Sequence, residues 1–289
     1  GNISTRVGVL TGDNVMIGGF IIDGTAPKRV LIRSRGPSMS GAPSFVSGTL
    51  ANPMVQLFSG QTVIAQNDNW QDAPSCPGFV CEGATEILNT GLDPCTPNPG
   101  QSSSPQNCAL EAAILITLPP GPYTAIVRGA DGRTGVGLVE VFDLDQAADS
   151  KLGNISTRAF VSTGNDIMIA GFILGNNLGD DNLVLRGLGP SLTAFGVPTV
   201  LADPTLEMRD NNGALLRAND NWQDDPEQAA IITAAGLALP NSVESGIAAT
   251  LSPGQYTALL AGLNMGTGNG LVEVYDLGGG STPIPTPTP

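Results

Sequence analysis

The sequence lacks histidine altogether, and only 13% of its 289 residues are charged and 4% aromatic. Without histidine, a serine or cysteine nucleophile has no ordinary general base. The few aromatic rings leave little surface for stacking on sugars. No apolar run of about 20 residues is present, which excludes a transmembrane helix. We therefore predict no catalytic activity, with a two-carboxylate glycosidase as the enzymatic alternative.

Positive charge is also scarce, since the chain has 12 basic against 26 acidic residues and a net charge of −14. Its two lysines are Lys28 and Lys151. Such a surface repels phosphate backbones and anionic lipids, which argues against nucleic acid and membranes as partners. The acidic surface makes Ca²⁺ the candidate cofactor.

Four cysteines, Cys76, Cys81, Cys95 and Cys108, cluster in a stretch rich in Pro, Gly and Ser. An even number of clustered cysteines predicts two disulfides and an oxidising, extracellular compartment. Three pairings are open, and the local one joins Cys76 to Cys81 and Cys95 to Cys108. A zinc site of four thiolates is the competing interpretation, although its usual paired C-x2-C spacing is missing.

The chain contains an internal duplication. Residues 1–6 (GNISTR) recur at 153–158, and residues 67–72 (NDNWQD) recur at 219–224, both at an offset of 152. Residues 137–143 (GLVEVFD) recur as 270–276 (GLVEVYD) at an offset of 133. The first copy therefore carries about 19 additional residues after its tryptophan, and the cysteines lie in the region of this insertion.

Glycine (38) and proline (23) punctuate short runs of alternating apolar residues, which predicts strands and turns. We predict an all-β fold of two tandem β-sandwich domains, of the jelly-roll or immunoglobulin-like type, each with one short helix after its tryptophan. The domains are predicted at 1–145, with the Cys-rich insertion at about 73–108, and at 153–278. Residues 146–152 are predicted as a linker and 279–289 as a Thr/Pro-rich tail.

The NDNWQD motif is the most site-like feature. Its carboxylates, together with neighbouring amide oxygens, are ligands of the type that Ca²⁺ prefers. The competing interpretation is an Asx-rich turn pinned by a buried tryptophan. The candidate metal ligands are Asp68, Asp72, Asp220 and Asp224.

Two pairs of glutamates also occupy matching positions in the copies. Glu111 and Glu244 precede an apolar strand, whereas Glu140 and Glu273 lie within the last strand. We interpret them as residues of a solvated face, with pairing to Arg33 or Arg128, or contact with a neighbouring subunit, as the alternatives.

The segment that begins both copies is a candidate assembly element. In the first copy it comprises Asn2, Ile3, Ser4, Thr5 and Arg6, and residues 2–9 are predicted to add as a strand to the next subunit. Residues 154–161 are predicted to do the same between the two domains. The tail carries candidate glycosylation sites at Thr282, Thr286 and Thr288.

The combined motifs GNISTR, TGDNVMIGGF, RGPS, DNWQ and GLVEVFD resemble a tandem β-domain repeat of unknown function in secreted and surface proteins of environmental bacteria. The resemblance implies secretion and no enzymatic activity. The chain also resembles subunits of extracellular fibres. We expect a structural subunit of a fibre or surface assembly, a homopolymer joined head to tail. The alternative is a carbohydrate- or calcium-dependent adhesion module with glycans as partners.

Overall fold

The computed structural model describes residues 2–41, 46–96, 107–175 and 179–279. The tail threonines Thr282, Thr286 and Thr288 lie outside these residues. Two compact units emerge, one spanning Asn2–Leu152 and the other beginning at Gly153. The fold is all-β, and no described helix is long and apolar enough to cross a membrane.

The described residues of the first unit form nine strands and one short α-helix. They are β1 (Asn2–Val9), β2 (Met16–Gly24), β3 (Lys28–Arg35), β4 (Pro53–Ser59), β5 (Thr62–Asn67), β6 (Cys81–Glu82), α1 (Ala84–Asn89), β7 (Ala112–Leu118), β8 (Gly121–Gly129) and β9 (Gly135–Asp143). One antiparallel sheet has the order β1-β9-β3-β7-β6, and the other has the order β2-β8-β4-β5.

The second unit repeats this arrangement. Its elements are β10 (Ser150–Val161), β11 (Met168–Leu174), β12 (Asp181–Leu188), β13 (Pro204–Asp210), β14 (Leu215–Asn219), α2 (Pro226–Ala234), β15 (Ser245–Leu251), β16 (Gly254–Gly262) and β17 (Gly268–Asp276). The sheets run β10-β17-β12-β15 and β11-β16-β13-β14. Strand β10 begins at Ser150, so strand structure enters the segment that was predicted as a linker.

Alternating side chains build the sandwich core in each unit. Ile3, Thr5, Val7 and Val9 of β1 are buried, whereas the residues that alternate with them are partly exposed. A Cβ built on Gly18 would lie 3.4 Å from a Val139 methyl group of the facing sheet. Such close packing of opposed faces is the defining feature of a β-sandwich.

A second apolar layer covers the outer face of one sheet in each unit. In the first unit it contains Leu31, Trp70, Ile87 and Leu115. In the second unit Trp222 and the α2 residue Ile232 belong to the corresponding cluster. The short helix predicted after each tryptophan is present, and its role is to close this outer layer.

The start of α2 follows from its local sequence. The Asp225 side chain accepts hydrogen bonds from the backbone N–H groups of Glu227 (3.0 Å) and Gln228 (3.2 Å). Pro226 occupies the first turn, where no intrahelical N–H bond is needed.

Candidate functional site

The NDNWQD motif forms a turn that is closed by its own asparagine. The Asn67 side-chain amide donates to the carbonyl oxygens of Asn69 (3.0 Å) and Asp72 (3.2 Å), and its Oδ1 accepts from Ala113 N (3.0 Å). In the second copy, Asn219 donates to the Asn221 carbonyl (2.9 Å) and accepts from Gly246 N (2.8 Å). The motif thus joins a turn to a core strand in both units.

The tryptophan of each motif is a core anchor. The Trp70 backbone N–H donates to the Glu111 carbonyl at 2.8 Å, and its indole N–H donates to the Cys108 carbonyl at 3.1 Å. Trp222 donates to the carbonyls of Glu244 (2.8 Å) and Asn241 (3.2 Å). Both rings are buried, so neither presents a face for stacking on a sugar.

The four candidate metal ligands lie at the rim of these turns. Asp68, Asp72 and Asp224 are exposed and Asp220 is partly exposed. Asp72 and Asp224 each accept a hydrogen bond from an asparagine side chain, at 3.3 and 3.2 Å. Within the described ranges, no group of three or more carboxylate or cysteine side chains is placed to hold a metal ion. Calcium binding stays a prediction.

The prediction of a solvated face is wrong for Glu111. Its carboxylate is buried and accepts hydrogen bonds from the backbone N–H groups of Gly36 and Ser38, both at 2.7 Å. Burial raises the pKa of this carboxyl group, against the opposing effect of the Ser38 and Gly36 hydrogen bonds. The neighbouring Arg35 is also buried, and burial lowers its guanidinium pKa.

Glu244 makes the same contact in the second copy. Its Oε1 accepts from the backbone N–H groups of Gly189 (3.1 Å) and Ser191 (3.0 Å). The glutamate therefore fastens the Gly-Pro-Ser turn to the strand that follows the tryptophan. Residue pattern alone missed this role, although the signal was present: both the glutamate and the turn recur in the two copies.

The solvated face is also wrong for Glu140 and Glu273, whereas the alternative of pairing with Arg33 is confirmed for Glu140. Glu140 Oε2 accepts from Arg33 at 2.7–2.9 Å, and the Arg33 guanidinium lies 4.6 Å from the centroid of the Phe142 ring. Glu273 binds Arg186 in the same way. Strand alternation correctly places these glutamates opposite the inner valines, but the second apolar layer covers that face.

A further buried ion pair is specific to the first copy. Lys28 Nζ lies 3.0 Å from both Asp143 carboxylate oxygens and donates to the Asp145 carbonyl at 2.7 Å. Both side chains are almost completely buried. The sequence offered no signal for this pair, because the residue that matches Lys28 in the second copy is Asp181.

Two disulfides are present, Cys76–Cys81 and Cys95–Cys108, which confirms the disulfide prediction in its local pairing. The Cα atoms are 6.1 and 5.1 Å apart, within the usual range.

The candidate assembly segments pair inside their own units. Strand β1 is antiparallel to β9 along its whole length, from Asn2 opposite Phe142 to Val9 opposite Gly135. Residues 154–161 of β10 pair with β17, from Asn154 opposite Tyr275 to Val161 opposite Gly268. Residues 154–161 therefore pair within the second unit, and their role between the two domains stays a prediction. Alternating burial against the core places each segment in its own sandwich.

No known protein family and no curated protein matches the chain. Among solved structures, a chain from the atomic structure of Sulfolobus Turreted Icosahedral Virus shares 10% identity, with a TM-score of 0.23 over 96% of this chain and 88% of that chain. So low a TM-score carries no argument about function.

Proposed function

We propose that the chain is a non-catalytic structural subunit of an extracellular fibre or surface assembly, and that its subunits join head to tail. One observation carries the proposal. The polar groups shared by the two copies, namely the Trp turn, the buried glutamate and the Arg–Glu pair, all hold the fold together. The residues that recur in both copies thus stabilise a repeating structural unit. The two disulfides support an oxidising, extracellular location.

The registers of the first strands support a mechanism for joining subunits. Ser4 lies opposite Glu140 in the first unit, and Ser156 lies opposite Glu273 in the second. All eight pairs of β1 with β9 have counterparts in the pairs of β10 with β17. A β1 strand that leaves β9 could therefore take the place of β10 beside β17 of another subunit.

Such an exchange costs little at equilibrium, because it replaces each main-chain hydrogen bond by one of the same kind. It is heterologous, since the first strand of one subunit enters the second unit of the next. A heterologous contact that does not close produces an open filament. This strand exchange replaces simple addition to a free edge, because both strand positions are occupied within the chain.

A disulfide lock tests the mechanism. Thr5 and Val139 are directly opposite each other in β1 and β9, so Thr5→Cys with Val139→Cys would tether β1 to its own subunit. The matched control carries Thr5→Cys alone, which cannot close a disulfide to β9 and leaves β1 free to exchange. We expect the wild type and the control to form filaments or layers in negative-stain electron micrographs. The oxidised lock is expected to form no filaments or layers until it is reduced.

Two results would count against the proposal. If the wild type forms no ordered assembly at any accessible concentration, the structural role fails. If the oxidised lock assembles as well as the control does, strand exchange fails and another contact must join the subunits.

A further inference from the structure

The open side of the first sandwich is closed by a cap that the insertion provides. Ser75 pairs with Gln66 of the edge strand β5 through two backbone hydrogen bonds, of 2.8 and 3.0 Å. Six residues later, Cys81 pairs with Ile116 of β7, at the edge of the other sheet. The Cys76–Cys81 disulfide joins the two parts of this cap, one beside β5 and the other beside β7. Both sheet edges on this side are therefore covered by the chain itself.

The second unit covers only one of the two corresponding edges. On β15, the Ala248 N–H donates to the Gln228 side chain of α2 at 2.8 Å. The helix therefore contacts β15 at the edge where β6 pairs with β7 in the first unit. On β14, Ala218 matches Gln66, since Ala218 lies opposite Glu207 as Gln66 lies opposite Gln56. Among the described residues, no segment bridges to Ala218 in the way that Ser75 bridges to Gln66.

The apolar side chains of β14 are also more exposed than those of β5. Leu215 is 53% exposed and Leu216 is 40% exposed. Ile64, which matches Leu216 at the offset of 152, is only 4% exposed in the first unit. An uncovered edge strand with exposed leucines and without lysine or proline is a template for pairing with another strand.

Charge indicates which partner fits this edge. Strand β14 contains no acidic residue, although the whole chain carries a net charge of −14. On the adjacent strand, Glu207 is neutralised by Arg209 at 2.5 Å. Two copies of the chain repel each other over most of their surface, and they can meet at this edge without opposing carboxylates.

We propose that β14 is a self-association edge, at which the β14 strand of a second copy docks in antiparallel orientation. The Gln66–Ser75 bridge indicates that the backbone groups of the matching Ala218 point outward. The β-bulge opposite Met208 and Arg209 leaves Leu216 without a partner on β13, so its backbone groups are available to a second copy. A two-fold axis at Leu216 pairs Leu216 with its equivalent and places Leu215 opposite Arg217 of the second copy. An axis at Arg217 would oppose two guanidinium groups, which disfavours that register.

This contact is distinct from head-to-tail strand exchange. It is isologous and closes after two copies, so it joins two subunits, or two filaments, side by side. It uses neither β1 nor β17, and it therefore stands or falls independently of the proposed mechanism of filament growth.

The edge is tested by sedimentation velocity over a range of concentrations, with the oxidised Thr5→Cys/Val139→Cys lock as the background to suppress strand exchange. We expect a reversible monomer–dimer equilibrium. Leu216→Lys should raise the dimer dissociation constant about tenfold or more, because it brings two ammonium groups to the axis. Met265→Lys is the matched control, since Met265 is 81% exposed on a turn outside β14. Circular dichroism verifies that each variant is folded.

Cross-linking tests the register. In a hydrogen-bonded antiparallel pair, opposed Cα atoms are about 5.5 Å apart, which suits a disulfide. Leu216→Cys should give a covalent dimer under mild oxidation, whereas Met265→Cys should not. A background that stays monomeric at all concentrations would overturn the proposal, as would a dimer unaffected by Leu216→Lys. Cross-linking that is no greater for Leu216→Cys than for Met265→Cys would overturn the register.

Discussion

Replacing the buried Glu111 by alanine is expected to destabilise the first unit strongly. The substitution leaves the Gly36 and Ser38 N–H groups without the carboxylate that accepts from both at 2.7 Å. Each buried donor left unpaired costs about 1–3 kcal/mol, or about 2–6 kcal/mol together. Removal of a desolvated carboxylate offsets part of this cost. We therefore expect a loss of about 2–4 kcal/mol in the free energy of unfolding.

Urea denaturation at neutral pH, followed by the fluorescence of the adjacent Trp70, measures this loss. The matched control is Glu86→Ala, which removes an exposed glutamate that contacts Gly83 N at 3.1 Å. We expect the control to lose no more than about 1 kcal/mol, as is usual for a surface substitution. A Glu111→Ala protein that is as stable as the control, with an unchanged denaturant slope, would refute the role of Glu111 in fastening the Gly-Pro-Ser turn.

The pH dependence gives an independent check. Because burial raises the pKa of Glu111 in the folded protein, the native state holds this proton more tightly than the unfolded chain does. Between the unfolded value, about 4.3, and the raised native value, the contribution of Glu111 to stability falls as the pH rises. Below this pH window the free-energy cost of burying the ionised Glu111 carboxylate is absent, and above the window this cost is complete. Glu111→Ala should therefore remove this part of the pH dependence, and an unchanged profile would contradict the assignment.

Two other predictions concern the first unit. Gly36→Ala should destabilise it by several kcal/mol in urea denaturation, because the new Cβ would collide with the Leu50 carbonyl oxygen, whereas Gly41→Ala meets no atom within 4 Å and should have little effect. Lys28→Met should cost about 3–5 kcal/mol, because it removes the ammonium group from the buried Asp143, and Lys28→Met with Asp143→Leu should recover most of this loss in the same assay.

The periodic features of the chain were predictable from its sequence. Alternating apolar residues predicted β8 and β9, and the position of Pro226 before a run of helix formers predicted α2, because these signals act between residues that are close in the chain. The cysteine cluster predicted two disulfides for the same reason, since both bridges close short loops.

The glutamates show where sequence reasoning failed. The pattern of β9 correctly separates Glu140 from the inner valines, and it says nothing about what covers the other face. That cover comes from Trp70 and α1, which are distant in sequence, so only the tertiary structure could show that Glu140 is buried against Arg33.

The sequence by itself determined that the chain is a duplicated β-fold with an acidic surface and a Cys-rich insertion in one copy. These properties are carried by composition, by short-range periodicity and by direct repetition. The tertiary structure decided that the shared carboxylates are buried against distant segments, that β1 pairs with β9, and that the insertion pairs with the edge strand β5. Those outcomes depend on burial and pairing between residues far apart in the chain, and no local pattern encodes which distant segment will cover a given face.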